Sequence, residues 1–205
     1  MFIEGSPPNI LRHTEIREVF DGSSCYIAFI SNPYMQIASS IYNYKTPENF
    51  KVAAIAREWL RKTGRIKAIV EKYDDVPLLK YEEFCEDPTS VNTILNIPTI
   101  EDYEITGKSN TKIKKIEDRA LATIAFLYEG EINEISNSLR REKSMVDYFG
   151  YHIVDGAQLL EATMFNAEDF KGGRLRRDAW EKAGGRPDKV LKRSGVAKNL
   201  RGVAP

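Results

Sequence analysis

Apolar residues in this chain fall into short blocks separated by turn formers, and the blocks alternate between strand-like and helix-like spacing. Cys25-Tyr-Ile-Ala-Phe-Ile30 is a continuous run rich in β-formers, bounded by Asp21-Gly-Ser-Ser24 and Ser31-Asn-Pro33. Such a run predicts a buried strand of the parallel type. Pro33 suits the first turn of a helix, with Asn32 or Ser31 as its cap. Met35, Ile37, Ala38, Ile41 and Tyr42 then supply an apolar stripe. From Thr46-Pro-Glu-Asn a long helical stretch is predicted through Tyr73, with Phe50, Ala53, Ile55, Trp59 and Leu60 on its buried side. Asp74-Asp75 ends it.

Val76-Pro-Leu-Leu-Lys-Tyr81 reads as a second short strand, and Glu82 to Ile97 as acidic and helical, restarted by Asp87-Pro88. Residues 98–113 read as polar and irregular. Helices follow at about 117–128 and 130–142, then a last one that Gly150 closes in a left-handed conformation within Phe149-Gly150-Tyr151. Alternating strands and helices define an α/β domain over residues 1–151: a partial parallel sheet flanked by helices. A pair of strands is a marginal sheet, and three or more are the rule. The pair is therefore expected to belong to a larger sheet. Leu159–Phe170 predicts a turn or two of amphipathic helix. Beyond Gly172-Gly173 the chain is glycine-rich and basic, so residues 152–205 read as a basic C-terminal extension, partly disordered.

Composition narrows the class. With 42% hydrophobic and 29% charged residues the chain is of ordinary globular type. No run of about 18 apolar residues is present to span a bilayer, and the start lacks the basic segment and apolar core of a secretory signal. Cys25 and Cys85 form no CxxC pair. Cys25 is expected as a buried small hydrophobe, and the setting as reducing and cytoplasmic. Of the two histidines, His13 is expected at the surface beside Arg12 and Glu15, and His152 has no partner in sequence. No metal-ligand spacing is formed. The net charge of zero conceals an asymmetry. Residues 171–205 hold eleven Lys/Arg against three acids, a charge of +8, which leaves −8 on residues 1–170. One aromatic, Trp180, accompanies those basic residues, and single-strand binders interleave several. The composition therefore argues against a nucleic-acid partner.

Four segments, in order, resemble the PAPS-dependent sulfotransferase superfamily. Glu4-Gly-Ser-Pro-Pro-Asn-Ile-Leu-Arg12 resembles a Glu-Lys-Ser/Thr-Pro-x-Asn-Leu-Leu-Arg segment. Tyr26 to Ser40 resembles a strand-turn-helix unit with an Arg-Asp/Asn-Pro turn and a serine eight residues after the arginine. Leu78-Leu-Lys-Tyr-Glu-Glu-Phe-Cys-Glu-Asp-Pro88 is similar to a strand ending in Tyr-Glu-Asp-Leu with Asp-Pro soon after. Glu131 through Asp147-Tyr-Phe-Gly-Tyr151 resembles closing helices that finish in Phe-Gly-Tyr.

The resemblance implies a sulfotransferase-like P-loop scaffold, incomplete at its N-terminus, that transfers a sulfuryl group from PAPS to a hydroxyl or amine acceptor. It implies PAPS or its product PAP as the cofactor. Ser31 and Ser39 would lie at the 3′-phosphate and Tyr81 near the adenine. The family's phosphate-loop lysine precedes these segments, so activity is expected only with a complementing N-terminal segment, or the scaffold serves as a non-catalytic nucleotide-binding or interaction module. An unpaired sheet edge would favour self-association. Two basic groups of the family pattern differ here: the turn arginine is Ser31 and the segment lysine is Gly5. A hydrogen bond to a charged group is worth about 1.5–3 kcal/mol, so losing the arginine implies roughly a tenfold weaker hold on the phosphate. No catalytic residue, and no acceptor, is assigned by any motif in the chain.

Overall fold

In the computed structural model the described residues are 10, 12–20, 25–95, 105–106, 112–113 and 120–186. Glu4 and Gly5 of the first family-like segment, and the basic residues beyond Arg186, lie outside them. The chain divides into two compact units, one of residues 1–31 and 61–118 and the other of residues 32–60 and 119–205. The chain is mostly helical and carries a small parallel strand pair, which agrees with the coarse α/β expectation.

The first unit contains α1 (His13–Phe20), β1 (Ala28–Ile30), β2 (Leu78–Lys80), α4 (Tyr81–Glu86), α5 (Ser90–Leu95), β3 (Ile105–Thr106) and β4 (Lys112–Ile113). β1 and β2 pair in parallel with Ala28 opposite Leu78 and Ile30 opposite Lys80, and Ala28 N–H donates to the Pro77 carbonyl at 2.9 Å. The predicted strands form, but each is three residues long. Ile30 and Leu79 are buried, whereas Phe29 is 44% exposed and meets Tyr81 and Phe84 edge-on at 6.4 and 5.8 Å. β1 is therefore covered on one face only among the described residues. Cys25, expected in the core, is exposed ahead of the strand. Where an irregular stretch was expected, β3 and β4 form a short antiparallel pair.

The second unit contains α2 (Pro33–Tyr44), α6 (Ala120–Ile124), α7 (Glu129–Arg140), α8 (Lys143–Tyr148), α9 (Gly156–Met164) and α10 (Ala167–Lys182). The long helix α3 (Val52–Lys72) belongs to this unit up to Leu60 and to the first from Arg61. Its buried stripe is Val52, Ala56, Trp59, Thr63 and Ile66, at i, i+4, i+7 spacing. Trp59 belongs to this stripe as expected, but Phe50, Ala53, Ile55 and Leu60 are only half-buried. The helix begins at Val52 rather than at the Thr46-Pro turn.

Local chemistry sets the ends of α2 and α8. Asn32 Oδ1 accepts from the N–H groups of Tyr34 and Met35, and Pro33 occupies the first helical turn. At the end of α8, Gly150 has φ 70°, Gly150 N–H donates to Asp147 O and Tyr151 N–H to Val146 O, a Schellman closure. Tyr34, Ile37, Ala38 and Ile41 of α2 are all buried. Burying each of the isoleucines contributes about 1.5–3 kcal/mol. The Tyr34 hydroxyl bonds Ser136 Oγ at 2.8 Å and accepts from Val154 N–H at 3.0 Å, while Ser136 Oγ donates to Val154 O at 2.6 Å.

The main departure from expectation is α10. Beyond Gly172-Gly173, where poor order was expected, the chain instead continues a sixteen-residue helix over residues 167–182, whose Gly173, Arg177 and Trp180 are buried. Those three positions are spaced i, i+4, i+7. Gly173 lies so close to α6 that an added Cβ would stand 2.6 Å from Ala125 Cβ and 2.8 Å from the Ala122 carbonyl oxygen. Trp180 is fully enclosed, edge-on to Phe50 and Phe126 at 5.5 Å each. Arg177 donates from Nη2 and Nη1 to the two oxygens of Glu131, at 2.8 and 3.2 Å, and from Nε to Glu181 at 2.7 Å. Burial pushes the Arg177 pKa down, but the hydrogen bonds to Glu181 and Glu131 and their charges outweigh it and hold the guanidinium more firmly protonated. The basic end of the chain thus enters the core through a paired charge, which is how buried arginines are tolerated.

Candidate anion-binding site

α2 presents Ser39, Tyr42 and Asn43 on one face, at i, i+3 and i+4. Asn43 Nδ2 donates to Ser39 O at 2.9 Å and to Ser39 Oγ at 3.2 Å. Its Oδ1 accepts from Arg186 Nη1 at 2.5 Å. Asn43 thereby fixes the serine hydroxyl and the arginine together.

Arg186 reaches α2 because the chain reverses just after α10. Gly184 and Gly185 take φ values of 67° and 135°, a region that side-chain-bearing residues avoid. Gly184 N–H donates to Glu181 O and Gly185 N–H to Trp180 O, so this end is a second Schellman closure. Arg176, from α10 itself, also lines the cleft. The Arg176 and Arg186 guanidinium carbons each lie 5.6 Å from the Tyr42 ring centroid. Tyr42 in turn meets Phe126 edge-on at 5.8 Å, and Thr123 completes the wall. Together these residues bound a cleft of about 170 Å³.

Among the described residues lining the cleft, none is an acid. Two like charges sharing one ring repel, and each cation–π contact returns only about 0.5–1 kcal/mol at an exposed site. A bound anion would add stabilisation, since each charge-assisted hydrogen bond is worth about 1.5–3 kcal/mol. Ser39 adds a hydroxyl beside them. Arginine suits the task, because its planar fork matches the oxygens of a phosphate or sulfate.

The three residues singled out in sequence are placed differently. Ser39 lines the cleft. Ser31 and Tyr81 lie in the first unit, each immediately after a strand, next to the paired positions Ile30 and Lys80. Tyr81 is the first residue of α4 and packs edge-on to Phe29. At the α2 N-terminus the N–H groups of Tyr34 and Met35 are engaged by Asn32. Arg176 and Arg186 were missed in the sequence because both fall in the stretch read as a solvated tail. The spacing of Gly173, Arg177 and Trp180 was the available signal that this stretch is a packed helix.

A second polar cluster lies in the first unit. His13, expected at the surface, is 8% exposed and sits against Tyr26 and Tyr73, with ring centroids at 4.9 and 5.1 Å. Arg17 lies over the same two rings and donates to Asp75 at 2.5 Å. Among the described residues no group of three or more His, Cys, Asp or Glu side chains could hold a metal, and no helix is long and apolar enough to cross a membrane.

Comparison of the chain with family models, with curated proteins and with solved structures finds no match in any of the three. The sulfotransferase resemblance therefore rests on its four sequence segments.

Proposed function

We propose that this chain is a nucleotide-phosphate-binding module, with a phosphate of PAP or PAPS held in the cleft between α2 and α10. The observation that carries the reading is the pair of guanidiniums, Arg176 and Arg186, gathered on the Tyr42 ring beside Ser39, with no acid among the described residues that line the cleft. A cleft of about 170 Å³ takes a phosphate group with part of its sugar, and leaves the base outside. Arg176 and Arg186 would bring back the positive charge that Ser31 and Gly5 leave out of the family pattern.

Sulfuryl transfer is the wider activity that the resemblance implies. The cleft supports its binding half: cations and a hydroxyl for the phosphate, with no histidine or carboxylate among the described residues that line it. The reading is therefore of binding without turnover.

Calorimetric titration with PAP tests it. Saturable binding is expected at low salt, weakening as salt rises because phosphate contacts are screened. Arg176→Ala should weaken it about tenfold or more and Ser39→Ala by a smaller factor, in line with about 1.5–3 kcal/mol for a charged hydrogen bond and about 0.5–1.5 for a neutral one. Absence of binding to the folded chain, or binding indifferent to Arg176, would refute the assignment.

A further inference from the structure

The His13 cluster holds four of the buried polar atoms that lack a hydrogen-bond partner: both His13 ring nitrogens, Arg17 Nη1 and Tyr26 Oη. Buried polar groups are almost always partnered, so a concentration of unpartnered ones calls for a physical reason. Here the packing is aromatic. The imidazole is wedged between Tyr26 and Tyr73 at the first residue of α1, and it acts as a flat apolar filler in its neutral form.

We propose that His13 is a proton-sensitive latch that docks α1 on the Tyr26–Tyr73 pair when neutral and releases it when protonated. A second cation would then sit beside the Arg17 guanidinium, which already lies 4.4 Å from the Tyr73 ring centroid. Lys72, 4.8 Å from the same centroid, adds a further positive charge from the end of α3. Asp75, the one carboxylate that faces the cluster among the described residues, is engaged by Arg17. Neither nitrogen of the new imidazolium has an acceptor among the described residues, so both N–H groups would be buried and unpaired. α1 is eight residues long and His13 is its one buried residue, so this contact, with Arg17 lying over the same rings and paired to Asp75, anchors its N-terminal end.

The direction of titration agrees. Burial first, then the Arg17 charge, lowers the His13 pKa below its ordinary 6.5, with Lys72 adding to this and Asp75 opposing it. The folded chain therefore binds fewer protons than the unfolded one between the lowered value and 6.5. Stability falls as pH drops through that window and is not lost above it.

The chain supplies its own control, because its second histidine, His152, is exposed. Proton resonances of the two imidazoles should be followed from pH 8 to 4.5 on the full chain, with amide exchange of residues 13–20 measured in parallel. His13 is expected to titrate below its ordinary 6.5. Exchange in α1, corrected for the intrinsic pH dependence of the chemistry, is expected to speed up at least tenfold as His13 protonates. In His13→Phe, which fills the same slot without titrating, that acceleration should vanish. Titration of His13 at or above 6.5 would overturn the proposal. So would unchanged α1 protection across the His13 titration, a result that the wild-type chain alone can deliver.

Discussion

Removing the Arg177 side chain tests whether the basic end of the chain is part of the core. The guanidinium is 4% exposed, makes three hydrogen bonds to two carboxylates, and lies within 5.5 Å of the ring centroids of Phe50, Phe126, Tyr128 and Trp180. Arg177→Ala leaves Glu131, whose side chain is 14% exposed, without its counter-charge among aromatic rings. Breaking a buried pair from one side costs about 3–5 kcal/mol. Glu181 is 38% exposed and contributes on the surface scale, so Glu181→Gln should cost no more than about 1 kcal/mol. The double variant Arg177→Met with Glu131→Gln should recover most of the loss, because no charge is stranded and a glutamine at that position still accepts from Tyr128 N–H. Urea unfolding followed by tryptophan fluorescence reads this well, since Trp59 and Trp180 are both buried in the second unit. With a slope of about 2 kcal/mol per molar urea, the single variant should lower the midpoint by about 1.5–2.5 M. An Arg177→Ala midpoint within about 0.5 M of the parent, a difference of about 1 kcal/mol on that slope, would refute the buried-pair reasoning. So would a double variant as unstable as the single one.

Adjacent glycines should respond in opposite directions. Gly173→Ala drives a methyl against Ala125 and the Ala122 carbonyl and should destabilise by about 1–3 kcal/mol, whereas Gly172→Ala meets nothing within 4 Å and should stabilise by about 0.5–1 kcal/mol through helix propensity. Denaturation midpoints of the two variants decide it. Asn32→Ala should cost about 0.5–2 kcal/mol by leaving the Tyr34 and Met35 N–H groups uncapped, again read by urea unfolding.

The features legible in the sequence were those set by local chemistry. Asn32-Pro33 starts a helix, Asp74-Asp75 follows the end of one, Gly150 closes one, and the run ending at Ile30 makes a strand that pairs in parallel with Leu78–Lys80. What escaped depends on partners far along the chain. Gly172-Gly173 reads as a break unless Ala125 is known to press against it, and Arg177 reads as solvated unless Glu131, 46 residues earlier, is known to face it. His13 reads as a surface residue until Tyr73, 60 positions later, covers it. The same holds for the candidate site. Ser39 came from resemblance, while Arg176 and Arg186 depend on α10 and the glycine reversal that follows it.

The central claim is that Arg176 and Arg186 bind a phosphate together. Its most direct test is a PAP titration of the ¹⁵N-labelled chain that follows the arginine side-chain Nε–H resonances, assigned by the single Lys substitutions. The account predicts that the Arg176 and Arg186 signals shift saturably with one common dissociation constant while Arg177, locked to Glu131 and Glu181, stays in place. Binding that leaves those two signals unmoved, or no binding by the folded chain, would contradict it.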